Sequence, residues 1–135
     1  LGHEGSGLML TRTPEGVHAE SSRGKASISG GVLRVLEGTN PVEPYGTERY
    51  VVSAIESLVM QPNAGDCVLF GAYAGYEIIS FDDQIGAHGS AGGDQVYPFL
   101  ITPSWLGAAG ERIENASDIH RAVLLKYSRN SAIKL

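Results

Sequence analysis

Apolar and polar positions change their spacing several times along the chain, and each change marks an element. Gly7 to Thr13, GLMLTRT, alternates weakly with period two, the spacing of a strand with one buried face. Pro14-Glu15-Gly16 reads as a turn, since proline presets φ and glycine accepts a positive-φ corner. Gly16 to Glu20 is then the returning strand of a hairpin. Lys25 to Ser29 and Val32 to Leu36 form a second pair of short strands, and Gly30-Gly31 between them is a two-residue hairpin loop. The first third of the chain therefore predicts N-terminal β-hairpins.

Gly38 to Gly46, with two prolines and two glycines, reads as a loop without a packed element. After it the period becomes helical. Val51, Val52, Ile55, Leu58 and Val59 share one face of a helix over 47–60, with Thr47 as its N-cap and Pro62 as its stop. The run Cys67 to Tyr73, CVLFGAY, is almost continuously apolar, as a strand buried on both faces would be. A helix leading by a short loop into such a strand is the connection that builds parallel sheets. Tyr76 to Phe81 and Val96 to Thr102 read as further strands, Trp105 to Ala116 as irregular. Ser117 is placed to cap a helix over 117–128, with Ile119, Ala122 and Val123 on its stripe. The expectation is one α/β domain: a mixed sheet with central strand 67–73, helices 47–60 and 117–128, and N-terminal β-hairpins.

Composition narrows the function classes. A net charge of −5 without a Lys/Arg cluster argues against nucleic acid. No apolar run approaches the length of a membrane span, and no stretch has the pattern of a signal peptide. The one cysteine, Cys67, cannot pair within the chain, and its apolar strand suggests a small buried hydrophobe. His3, His18 and His120 fall in strand-like or exposed helical positions. The stretch Phe81 to Pro103 differs. Here a single imidazole, His88, sits in GAHGSAGG, preceded by Asp82 and Asp83 and followed by an apolar run. So little side-chain bulk lets a backbone approach a ligand closely, and a neutral imidazole is a good metal ligand. A glycine-rich surface loop with an incidental histidine has the same composition.

The segment GAHGSAGGDQVYPFLITP resembles the "G-x-HG-G-x-GG-x-Q-x-x-PFL" stretch of bacterial alkaline-phosphatase-superfamily proteins related to type I phosphodiesterases and nucleotide pyrophosphatases. Three more segments resemble that family in the same order. HEGSGLMLTRTPEGV is similar to its "H-P-G-I-G-(apolar strand)-R-x-x-x-G", EGTNPVEPYG to its "EG-x-DPL-x-PYG", and NAGDCVLFGAY to its "N-x-GDLVL-x-S-x-Y". The resemblance covers roughly residues 1 to 103. Ala87 and Ser90 stand where Ser and Gly are commoner, which removes no ligand.

This likeness implies a partial alkaline-phosphatase-like domain in which His88 is a metal ligand. Gly86, Gly89, Gly92 and Gly93 would shape its loop, and Gln95 would orient it. Asp82 and Asp83 match acidic positions without an assigned role, and a solvated carboxylate pair is the plainer account of them. The implied cofactor is a divalent metal, zinc before manganese or iron, with two ions clamping an in-line phosphoryl transfer in the whole enzyme. No Asp-plus-nucleophile segment and no Asp-His-Gly motif occurs in these residues, and a catalytic zinc needs about three protein ligands. The expectation is thus the C-terminal part of a phosphoester hydrolase, with the remainder of the catalytic domain as partner. The alternatives are a noncatalytic α/β module whose glycine loop cradles an anion with backbone N–H groups, and a partner-binding or structural remnant without a ligand.

Overall fold

A computed structural model describes residues 4–74, 77–81, 90–97, 99–104, 113 and 115–130. The chain divides into two compact units, Leu1–Pro98 and Phe99–Leu135. The first is an antiparallel sheet with one long helix. Strands β1 (Ser6–Thr13), β2 (Gly16–Ser21), β3 (Gly24–Ser29) and β4 (Val32–Gly38) run as a meander. The pairs Thr13↔Gly16, Ser21↔Gly24 and Ser29↔Val32 close three two-residue turns. In the last turn Gly30 and Gly31 have φ of 60° and 71°, the two positive values that a type I′ hairpin demands.

Register places the small and branched apolar residues on one face. Phe70 lies opposite Leu8, Leu10 opposite Ala19 and Val68, Ala19 opposite Ala26, and Val17 opposite Ile28. Helix α1 (Arg49–Val59) covers this face with Val51, Val52, Ile55 and Val59, all buried. At about 1.5 to 3 kcal/mol for each fully buried side chain, these four alone contribute roughly 6 to 12 kcal/mol before entropy. Leu58, on the flank of the stripe, stays exposed. The opposite face of the sheet carries Cys67, Thr11, His18, Ser27 and Arg34 in one cross-strand row.

The α/β content stands, with a five-stranded sheet and two helices, but the sheet is antiparallel throughout. The strand expected at its centre, residues 67–73, is β5 (Cys67–Gly71) at one edge, in the order β4-β3-β2-β1-β5. The reason is topological. The meander uses both neighbours of β2 and β3 and leaves only the outer edges of β4 and β1 free, and after the crossing through α1 the next strand docks on β1, antiparallel to it. An edge position buries half a strand: Phe70 and Gly71 are buried, whereas Leu69 and Cys67 are exposed, so Cys67 is not the interior residue its neighbours suggest.

The Gly38–Gly46 segment also departs from the loop expected of it. Pro41 and Val42 are buried, and a 3-10 turn, Glu43–Tyr45, brings Tyr45 into the core at 2% exposure. Residues three apart eclipse one another in a 3-10 turn, so Val42 and Tyr45 project together. The Val42 amide donates to Asn40 Oδ1 at 3.0 Å, fixing the entry to the turn.

Helix ends differ in detail from expectation. The N-cap of α1 is Glu48, not Thr47; its carbonyl accepts from the Val51 and Val52 amides. At the other end Arg12 donates to the Val59 carbonyl at 2.7 Å and to the Gln61 carbonyl at 2.6 Å. A cation there meets carbonyls the helix leaves unpaired and the negative end of its dipole. Arg12→Met, which keeps the stem, is expected to lower unfolding free energy by about 1 to 2 kcal/mol in urea titrations, the scale of charge-assisted hydrogen bonds discounted for exposure.

β6 (Tyr73–Ala74) and β7 (Glu77–Ile78) form a small antiparallel ladder beyond β5. The strand expected over Val96 to Thr102 is absent among the described residues: a 3-10 turn spans Asp94–Val96, and residues 99–103 form no regular element. The second unit contains α2 (Ala116–Asn130), whose cap is Asn115 rather than Ser117. Asn115 Oδ1 accepts from the Ser117 and Asp118 amides, and Asp118 Oδ2 accepts from the Asn115 amide in return. This is a reciprocal capping box with shorter side chains than the usual pair. His120 is exposed on α2, as its spacing predicts.

Candidate functional site

The glycine-rich segment lies between Phe81, which follows β7, and Ser90. Asp82, Asp83, Gly86, His88 and Gly89 fall outside the described residues. The far limb is described. Gly92 and Gly93 have φ of 87° and 66°, a region that side chains with a Cβ rarely adopt. Gly92 is buried, and a methyl on it would come within 2.8 Å of Tyr45 Cα; one on Gly93 would meet Tyr73 Oη at 3.2 Å. Gln95 is exposed in the 3-10 turn that follows. Tyr97 then reaches back: its hydroxyl donates to Glu48 Oε1 at 3.4 Å, and its ring meets Tyr50 edge-on with centroids 6.4 Å apart.

Tyr45 is the residue on which this region turns. Its hydroxyl donates to the Gly71 carbonyl at 2.7 Å, and its ring is tilted against Phe70 and Tyr73 with centroids 6.0 and 6.2 Å away. The phenol crosses directly over Gly7, where a methyl would overlap the Tyr45 hydroxyl and lie 2.6 Å from Ala72 Cα. Burial pushes the Tyr45 phenol up to about 12, because a phenolate there would lose its water.

Gly7, Tyr45, the Phe70–Tyr73 stretch and Gly92 come from four segments widely separated in the chain, and they meet at Tyr45: Gly7, Phe70, Gly71 and Tyr73 at its side chain, Gly92 at its backbone. The signal available in the sequence was EPYG itself, a tyrosine between a proline and a glycine. Its loop-like composition concealed a core residue.

Tyr45 and Tyr73 also line a cleft of about 390 Å³ at the end of the sheet where β1 begins and β2 ends. Ser6, Ser21, Ser22 and Arg23 line it as well, with Glu4 beside them. Arg23 forms an ion pair with Glu43. The Arg23 amide donates to Ser21 Oγ at 3.1 Å, which holds the β2–β3 turn.

Among the described residues no three His, Cys, Asp or Glu side chains gather as a metal cage. His18 is half-buried on the sheet face away from α1, with Nε2 3.7 Å from Glu20 Oε2. No helix among the described residues is long and apolar enough to cross a membrane. Comparison with family models, with curated proteins and with solved structures finds no match to this chain.

Proposed function

We propose that these residues are the C-terminal part of a metal-dependent phosphoester hydrolase of the phosphodiesterase or nucleotide pyrophosphatase kind, to which His88 supplies one metal ligand. The supporting observation is the convergence on Tyr45. Each of the four segments that resemble the family either contains Tyr45 or places a residue against it. Motifs that serve one site must lie together, and these four do. Gly92 and Gly93, in conformations suited to glycine, hold one limb of the His88 segment against this cluster.

No Asp-plus-nucleophile segment and no Asp-His-Gly motif occurs in the sequence, so on this reading the remaining ligands and the nucleophile lie outside these 135 residues. The metal, zinc first, would stabilise charge on a phosphoryl oxygen. The chain's own contribution is a rigid seat for the loop.

The test is direct. Produced with the rest of its reading frame, the protein is expected to hydrolyse bis(p-nitrophenyl) phosphate, to lose that activity to EDTA and to regain it with zinc or manganese. Upstream codons should specify an Asp followed by Ser or Thr, then Asp-His-Gly. No hydrolysis with any divalent metal, or hydrolysis indifferent to chelation, overturns the reading. Phosphate binding that survives both chelation and His88→Ala would instead identify a noncatalytic anion module.

A further inference from the structure

We infer that the cleft beside Tyr45 and Tyr73 is a subsite for an uncharged, hydroxyl-rich group, a sugar or polyol, which in a phosphodiester substrate is the part beyond the phosphate. Its place in a substrate rests on the hydrolase reading; the binding itself does not.

Size comes first. A volume of about 390 Å³ lies within the span of small-molecule sites and has room for a single sugar or inositol ring. Chemistry comes next. Ser6, Ser21 and Ser22 line the wall from two strands and a turn, with the Ser21 hydroxyl also accepting from the Arg23 amide. A hydroxyl both donates and accepts, so it pairs with another hydroxyl in either sense. Tyr73, half-buried, also lines the cleft, and an aromatic side chain gives apolar surface for the C–H side of a sugar.

Charge then selects against a second phosphate. Among the described residues that line it the only cation is Arg23, and it is already paired with Glu43. Glu4 adds a carboxylate at the rim. An anionic ligand would meet a compensated guanidinium and an uncompensated carboxylate, which is unfavourable. Location supplies the last step. The cleft shares Tyr45 and Tyr73 with the seat of Gly92 and Gly93, so a group held in it lies next to the anchored limb of the His88 segment.

The experiment is an amide and side-chain NMR titration of the 135-residue chain with myo-inositol, with glucose and with inorganic phosphate. Either polyol is expected to shift the resonances of Ser6, Ser21, Ser22 and Tyr73, and phosphate to leave them in place. Ser22→Trp puts an indole across the cleft from an exposed turn position and is expected to abolish the polyol shifts. Polyols without effect, phosphate acting at the same residues, or shifts that persist in a folded S22W protein would each overturn the subsite. If S22W loses its dispersed spectrum, the three wild-type titrations decide. Polyol binding without phosphodiester hydrolysis by the full protein sinks the hydrolase reading and keeps the subsite; hydrolysis without polyol binding does the reverse.

Discussion

Tyr45→Ala is expected to lower the unfolding free energy by about 3 to 5 kcal/mol, the range for truncating a buried aromatic ring, read from the midpoint of urea denaturation. Removing the ring leaves a void beside Phe70 and Tyr73, whose rings lean on it, and above Gly7. Neither can close the gap without moving backbone. The 3-10 turn is anchored by this ring and by Val42, and Gly92 rests on the Tyr45 backbone. The loss therefore spreads to the loop limb, where amide exchange at residues 92–97 should accelerate. Tyr45→Phe keeps the packing and removes one hydrogen bond to Gly71, for a loss of about 1 kcal/mol.

The same pair of variants gives a pH signature. The folded phenol has its pKa raised from 10.0 to about 12, so at pH below 10 both states carry the proton and Tyr45 contributes its full stability. Between 10 and 12 the unfolded chain releases the proton while the folded one holds it. Folding then binds more protons than unfolding leaves bound, and stability falls as pH rises. Tyr45→Phe should remove that component of the alkaline slope. An identical slope in the variant would show that Tyr45 does not stay neutral in the fold.

The second large effect concerns activity. In the full protein, His88→Ala is expected to reduce kcat/KM for bis(p-nitrophenyl) phosphate by at least about 100-fold, since even outer partners of a metal site cost 10- to 100-fold when lost. Thermal stability of the metal-free protein should hardly change, while the upward shift in Tm on adding zinc shrinks, because a ligand stabilises only the state that binds it. Those two readouts separate ligation from folding. Wild-type activity in the variant would leave the histidine as an ordinary loop residue.

Gly92→Ala is a useful companion to that measurement. Its φ of 87° and the nearness of Tyr45 make any side chain unfavourable there. It should unseat the limb without touching His88.

Much of the fold could be read from local pattern. Weak period-two alternation, the Pro14-Glu15-Gly16 turn and the short runs on either side of Gly30-Gly31 placed β1 to β4 within a residue or two of their observed ends, because backbone sterics act over neighbouring residues only. Spacing of valines and Ile55 identified the buried face of α1 for the same reason. What tertiary structure alone decided was which strand lies beside which. CVLFGAY has the composition of a central strand, yet order along the sheet depends on which hydrogen-bonding edges the meander has left free, a property of the assembled chain. Tertiary structure alone likewise took Tyr45 from a proline- and glycine-rich loop into the core, since its value comes from Gly7, Phe70, Gly71 and Gly92, none of them near it in the chain. Local sterics write elements into a sequence; burial depends on partners that only folding brings within reach.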